Sequence, residues 1–153
     1  MKRFIALFLS LIFVLALAGC NNTKESETLT YSFRGEHEYF AVSNGSIILN
    51  DDEEAFNGGN LEITQSALFE DVKSFSTSFY TTINDERHII MSNSVVDQTD
   101  GSVNVNGELG KIVGVDIISK EIESIDNLWF ELRTTDVDGE ENTYQIQLTL
   151  NKQ

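Results

Sequence analysis

Near the end of the chain Tyr144, Ile146, Leu148 and Leu150 alternate with Gln145, Gln147 and Thr149. Side chains repeat every two residues along a strand and about every 3.6 along a helix, so this run has a single apolar face only if it is extended. The same alternation sets Leu29, Tyr31 and Phe33 against Thr30 and Ser32, and spaces Phe75 and Phe79 in "KSFSTSFY". Turn-forming residues fall between such runs: Asn44-Gly45, Asn57-Gly58-Gly59-Asn60, Asn84-Asp85, Asp100-Gly101, Asn106-Gly107 and Asp138-Gly139. The spacing predicts strands near 29–34, 38–43, 46–50, 60–65, 73–82, 87–92, 112–119, 128–135 and 143–150. One segment departs from it: "SALFEDVKSF" puts Leu68, Phe69, Val72 and Phe75 at helical spacing behind Ser66, which predicts one helical turn capped by that serine. Eight or nine short strands with no helical crossovers imply an all-β fold, an immunoglobulin-like sandwich of two antiparallel sheets. A single Cys excludes an internal disulfide, so the core rests on Phe, Tyr, Trp and aliphatic burial.

That cysteine sits where an apolar run stops. Met1-Lys2-Arg3 precede the run Phe4 to Ala18, broken only by Ser10, and Gly19-Cys20 follow. A positive start, about fifteen apolar residues and small residues before a break form a secretory signal, and the run is short of the roughly 20 residues of a permanent span. Leu17-Ala18-Gly19-Cys20 resembles the lipobox of bacterial lipoproteins, in which the thiol receives a diacylglyceryl group and the chain is cut before the Cys. The resemblance implies a signal peptide over 1–19 and lipidation at Cys20. It also implies an extracytoplasmic location on the cell membrane. Two acyl chains on one residue, at about 0.8 kcal/mol per buried CH2, hold a soluble domain at a bilayer. The polar stretch "NNTKESE" makes 20–27 a flexible tether, with a reach of roughly 15 Å for seven residues, and leaves 28–153 as the domain.

Cleavage after Gly19 would leave 134 residues, and Lys2 and Arg3 would go with the signal. Eight Lys and Arg then stand against 25 acidic residues, a formal charge of −17. Such a charge opposes nucleic acid and anionic headgroups, and no basic patch is present to neutralise phosphates. It favours a soluble monomer, cationic partners or divalent ions.

The opening "TYSFRGEHEYFAV", with Phe33, Gly35, Glu36 and Glu38, resembles the F-x-G-E-x-E-x-W-x-V start of a group of small lipoproteins of Bacillus-like bacteria. Phe40 stands where that group has Trp, and the stretch from Leu109 to Leu150 resembles its closing pattern of a strand, a polar connection and a final hairpin. The resemblance implies the membrane location and the sandwich, and no catalytic residue.

Chemistry-bearing residues are few. His37 and His88 fall on different predicted strands, and a metal or acid–base site would need both on one face with a carboxylate. No G-x-S-x-G is present, and Cys20 is committed to lipid. Asp51, Asp52, Glu53 and Glu54, and the loop "DVDGEEN", are the candidate calcium ligands, since calcium takes about 6 to 8 oxygens. Gly139 makes the second loop more simply a hairpin turn. In "LWFELRTT", Leu128, Phe130 and Leu132 share one face, which puts Trp129, Glu131 and Arg133 on the other. Trp129 and Arg133 are the candidate binding surface, a platform for sugar or peptide, unless Trp129 is covered by another strand or by Arg133.

Without a catalytic constellation, the reading is a lipid-anchored binding or interaction module with no cofactor, whose partner is an envelope protein or a small ligand. The alternative is a structural or stress-related envelope lipoprotein with an acidic, cation-holding surface. An enzyme would require carboxylates that converge in a cleft.

Overall fold

The computed structural model describes residues 28–50, 53–99, 101–115, 118 and 127–153. The expected signal over 1–19, Leu17, Ala18, Gly19, Cys20, the whole tether over 20–27, and the calcium candidates Asp51 and Asp52 lie outside the described residues.

Among the described residues eleven strands follow in chain order: β1 (Leu29–Glu36), β2 (Phe40–Leu49), β3 (Glu54–Asn57), β4 (Asn60–Ile63), β5 (Val72–Ile83), β6 (Glu86–Val96), β7 (Gly107–Glu108), β8 (Lys111–Gly114), β9 (Trp129–Asp136), β10 (Glu141–Gln147) and β11 (Thr149–Lys152). They form two antiparallel sheets, one of seven strands in the order β11-β1-β2-β3-β8 with β4 and β7 beside β2, and one of four in the order β10-β9-β5-β6. The all-β, two-sheet antiparallel sandwich is as the alternation predicts.

The strand count differs, eleven rather than eight or nine, and the reason is local. Asn44-Gly45 is not a hairpin turn; it lies inside β2, with Asn44 at φ 58°. Asn57 to Asn60 is not a hairpin either, because β3 and β4 pair with the same edge of β2 in one unbroken register, Ser46 with Asn57 and Ser43 with Asn60. β3 and β4 are halves of one strand, and so are β7 and β8, since Asn57 faces Lys111 and Asn60 faces Glu108. The breaks align across the sheet. Gly58 N–H donates to Gly110 O at 2.9 Å and Leu109 N–H to Gly59 O at 2.8 Å, while the register of β1 slips between Phe33 and Gly35. A crease thus crosses four ranks of the sheet, and glycine sits on it for two separate reasons. Gly59 has φ +75°, and a Cβ there would lie 2.1 Å from the Ser43 carbonyl. At Gly45 a Cβ would lie 2.0 Å from the Phe33 ring, which rests on the bare backbone.

Between the sheets the core is largely aromatic. Phe33, Phe56 and Phe40 from the larger sheet meet Phe79 and Phe130 from the smaller one. The centroids are 5.7 Å apart for Phe33–Phe79, 5.0 Å for Phe56–Phe79 and 5.8 Å for Phe40–Phe130. All five rings are 2 % exposed or less. The final run crosses between layers: β10 pairs with β9 in one sheet, and β11 with β1 in the other. Leu148 sits buried at the crossing, its N–H bonded to Leu128 O at 2.8 Å.

Two hairpins follow their turn residues. Asn84 and Asp85, with φ 51° and 64°, close β5 on β6 as a two-residue loop. Asp138-Gly139 closes β9 on β10. The helical turn before Phe75 is a 3-10 turn over Ser66–Leu68; Gln65, not Ser66, takes the N-cap position, with no side-chain cap bond, and Leu68 is exposed while Phe69 is buried.

Candidate binding face

The four-stranded sheet turns Phe79, Met91, Phe130, Leu132 and Ile146 inward. Strand periodicity therefore sends their neighbours outward, and the register assembles them into rows across β10, β9, β5 and β6. The first row is Gln147, Trp129, Tyr80, Ile89; the second is Gln145, Glu131, Ser78, Ser92. The third is Thr143, Arg133, Ser76, Ser94; the fourth is Glu141, Thr135, Ser74, Val96. One extra residue on β6, Ile90, makes the rows possible. Phe79 faces Met91 but Tyr80 faces Ile89, so a bulge puts Ile89 and Arg87 on the outer side. Carried on without the bulge, the register set by Met91 would place Arg87 opposite Ile83 and turn it toward the core.

Glu131 is the centre of this face. Its side chain is 3 % exposed and accepts from Arg87 at 2.7 and 3.1 Å, from Arg133 Nε at 2.7 Å and from Gln145 Nε2 at 2.6 Å. Burial pushes its pKa up, but the hydrogen bonds from Arg87, Gln145 and Arg133 and the charge of Arg87 more than offset it and hold the carboxyl at about 2. The bond to Glu131 in turn raises the Arg87 pKa. Arg87 also lies over Tyr80, with Cζ 3.8 Å from the ring centroid, a cation–π contact. Burial raises the Tyr80 hydroxyl pKa.

Trp129 and Arg133, the residues singled out in the sequence, do share this face. Half-buried Trp129 stacks beside Tyr80 at 6.4 Å and 14°, and Arg133 reaches Glu131 instead of covering the indole. The Arg133 side chain is 59 % exposed, and its bond to Glu131 runs through Nε. Beside it lies a shallow groove of about 270 Å3, lined mainly by Ser74, Ser76, Ser94, Thr135, Thr143 and Glu141. Alternation within β9 does not reveal Arg87 and Gln145 as partners of Glu131, or Tyr80 under Arg87, because each arrives from another strand and only the register brings them there.

His37 lies in the β1–β2 connection, stacked on Phe40 at 4.8 Å and edge-on to Tyr39 and Tyr144 at 5.1 and 5.6 Å, and Tyr39 N–H donates to its Nδ1. His88 is exposed on β6 in the other sheet. Glu53 N–H donates to Asn50 Oδ1, and Glu54 Oε2 accepts from Ile118 N–H at 2.8 Å. In the second acidic loop, Asp136 Oδ1 accepts from the N–H groups of Asp138 and Glu140, both at 2.9 Å, so this carboxylate braces the hairpin. Among the described residues no three His, Cys, Asp or Glu side chains are grouped to hold a metal.

Comparison with protein-family models, with curated proteins and with solved structures gives no match. The chemistry of the outer face therefore has to be read from its own residues.

Proposed function

We propose that the chain is a lipid-anchored, extracytoplasmic binding module that presents the outer face of its four-stranded sheet to a ligand. In this reading residues 1–19 are removed as a signal, Cys20 carries the lipid, 20–27 tether the domain, and 28–153 do the binding. The observation that carries it is Arg133, held through Nε by buried Glu131 and set beside the groove. A long side chain loses entropy when it binds, and one already fixed by a buried partner loses less. Trp129 adds aromatic contact area on the same face.

The experiment is crosslinking in cells with a photoreactive residue in place of Ser76, on the candidate face, or in place of Arg34, on the opposite sheet. Position 76 should capture envelope material and position 34 should not. Capture should fall when Cys20→Ala removes the anchor. Equal capture at both positions would end the case for this face.

A further inference from the structure

We infer that the groove and Trp129 together form a site for an uncharged oligosaccharide laid along β9, an inference that rests on the binding-face reading above. Three observations carry it.

The first is the hydrogen-bonding character of the surface. Rows two to four carry Ser74, Ser76, Ser78, Ser92, Ser94, Thr135 and Thr143, and each hydroxyl both donates and accepts. A sugar hydroxyl does the same, so the two surfaces match whichever way each proton points. Arg133 and Glu141 sit in the same groove and supply one strong donor and one strong acceptor.

The second is charge. Arg87 and Arg133 are offset on this face by Glu131 and Glu141, so the face is close to neutral on a chain that carries 25 acidic residues against 10 basic ones. A polyanion would meet the field of the whole domain with no local excess of positive charge to offset it. A neutral ligand meets no such barrier.

The third is shape. Trp129 and Arg133 are four residues apart on one strand, about 13 Å at roughly 3.3 Å per residue. Between the two ends lie Glu131, whose side chain is 3 % exposed, and its row neighbours Gln145, Ser78 and Ser92. A chain of sugar rings spans that length, with one ring against the indole and another in the groove. A peptide strand would instead seek an unpaired sheet edge, where its backbone can add to a ladder.

Trp129 is the only tryptophan, so its emission reports on this face directly. The full chain, in sugar-free zwitterionic detergent, is titrated with β-linked trisaccharides of glucose and of N-acetylglucosamine. Inorganic phosphate and an extended lysine-rich peptide form the other arms. The expected result is a saturable change in Trp129 emission with a trisaccharide. Calorimetry should then show binding weakened about tenfold by Arg133→Ala, and less by Thr143→Val, which removes a groove hydroxyl without touching Glu131. Arg34→Ala, on the other sheet, should leave it unchanged, and matched melting curves should show the variants folded. Failure of both trisaccharides overturns the oligosaccharide. Saturation by phosphate or peptide in their place does the same while leaving the binding face standing. The crosslinking at positions 76 and 34 decides that face independently.

Discussion

Glu131 is a carboxylate that three side chains from three different strands converge upon, and its stability contribution has a definite pH window. Its unfolded pKa is near 4.5 and its folded value is about 2. The contribution is therefore fully present above about pH 4.5 and is lost as the pH falls through about 2. At 1.36 kcal/mol per unit the shift corresponds to about 3 kcal/mol. Glu131→Gln should cost roughly that much at neutral pH and flatten the acid limb below pH 4.5, as read by urea titrations across pH. An unchanged acid limb would mean that the network does not hold the proton off. Gly45 makes a second prediction at this scale. Gly45→Ala would drive a methyl group into the Phe33 ring and should lower stability by about 3 kcal/mol in the same titrations.

Among the elements, the β5–β6 hairpin is the most sharply tested by substitution. Asn84 and Asp85 both take the left-handed conformation that Asn-Gly satisfies best. Asp85→Gly should raise the melting temperature by about 2 °C, whereas Asp85→Val should cost more than about 1 kcal/mol. This hairpin was legible in the sequence, as were β1, β5 and β9, because one apolar face against solvent writes itself as alternation. The dipeptides on the crease were misleading for a physical reason. Asn-Gly announces left-handed backbone or a close approach, and Asn44-Gly45 provides both in mid-strand without reversing the chain. β10 and β11 ran together as one predicted strand because the alternation continues through Leu148 while the partner sheet changes. At the candidate face the positions of Trp129, Glu131 and Arg133 could be read from alternation within β9. The convergence of Arg87, Gln145 and Tyr80 depends on register and on the Ile90 bulge, and no local pattern encodes either.

For the molecule as a whole, the proposed anchor gives the plainest test. Wild-type protein should partition with membranes and carry the added mass of a diacylglyceryl group at Cys20, and Cys20→Ala should lose both, as measured by fractionation and intact mass. Retention of Cys20→Ala in the membrane fraction would point to a different attachment. Copies fixed to one surface are crowded together, and a sandwich of two open sheets has edges on which a neighbouring chain can nucleate a growing fibril. The crease answers that hazard on one side of the larger sheet. Its outermost rank is interrupted at Leu109-Gly110 into pieces of two and four residues. Among the described residues, a strand arriving from another copy would meet only these two short pieces on that edge, so the glycines that let the sheet fold over its phenylalanine core also shorten the ladder it could zip onto.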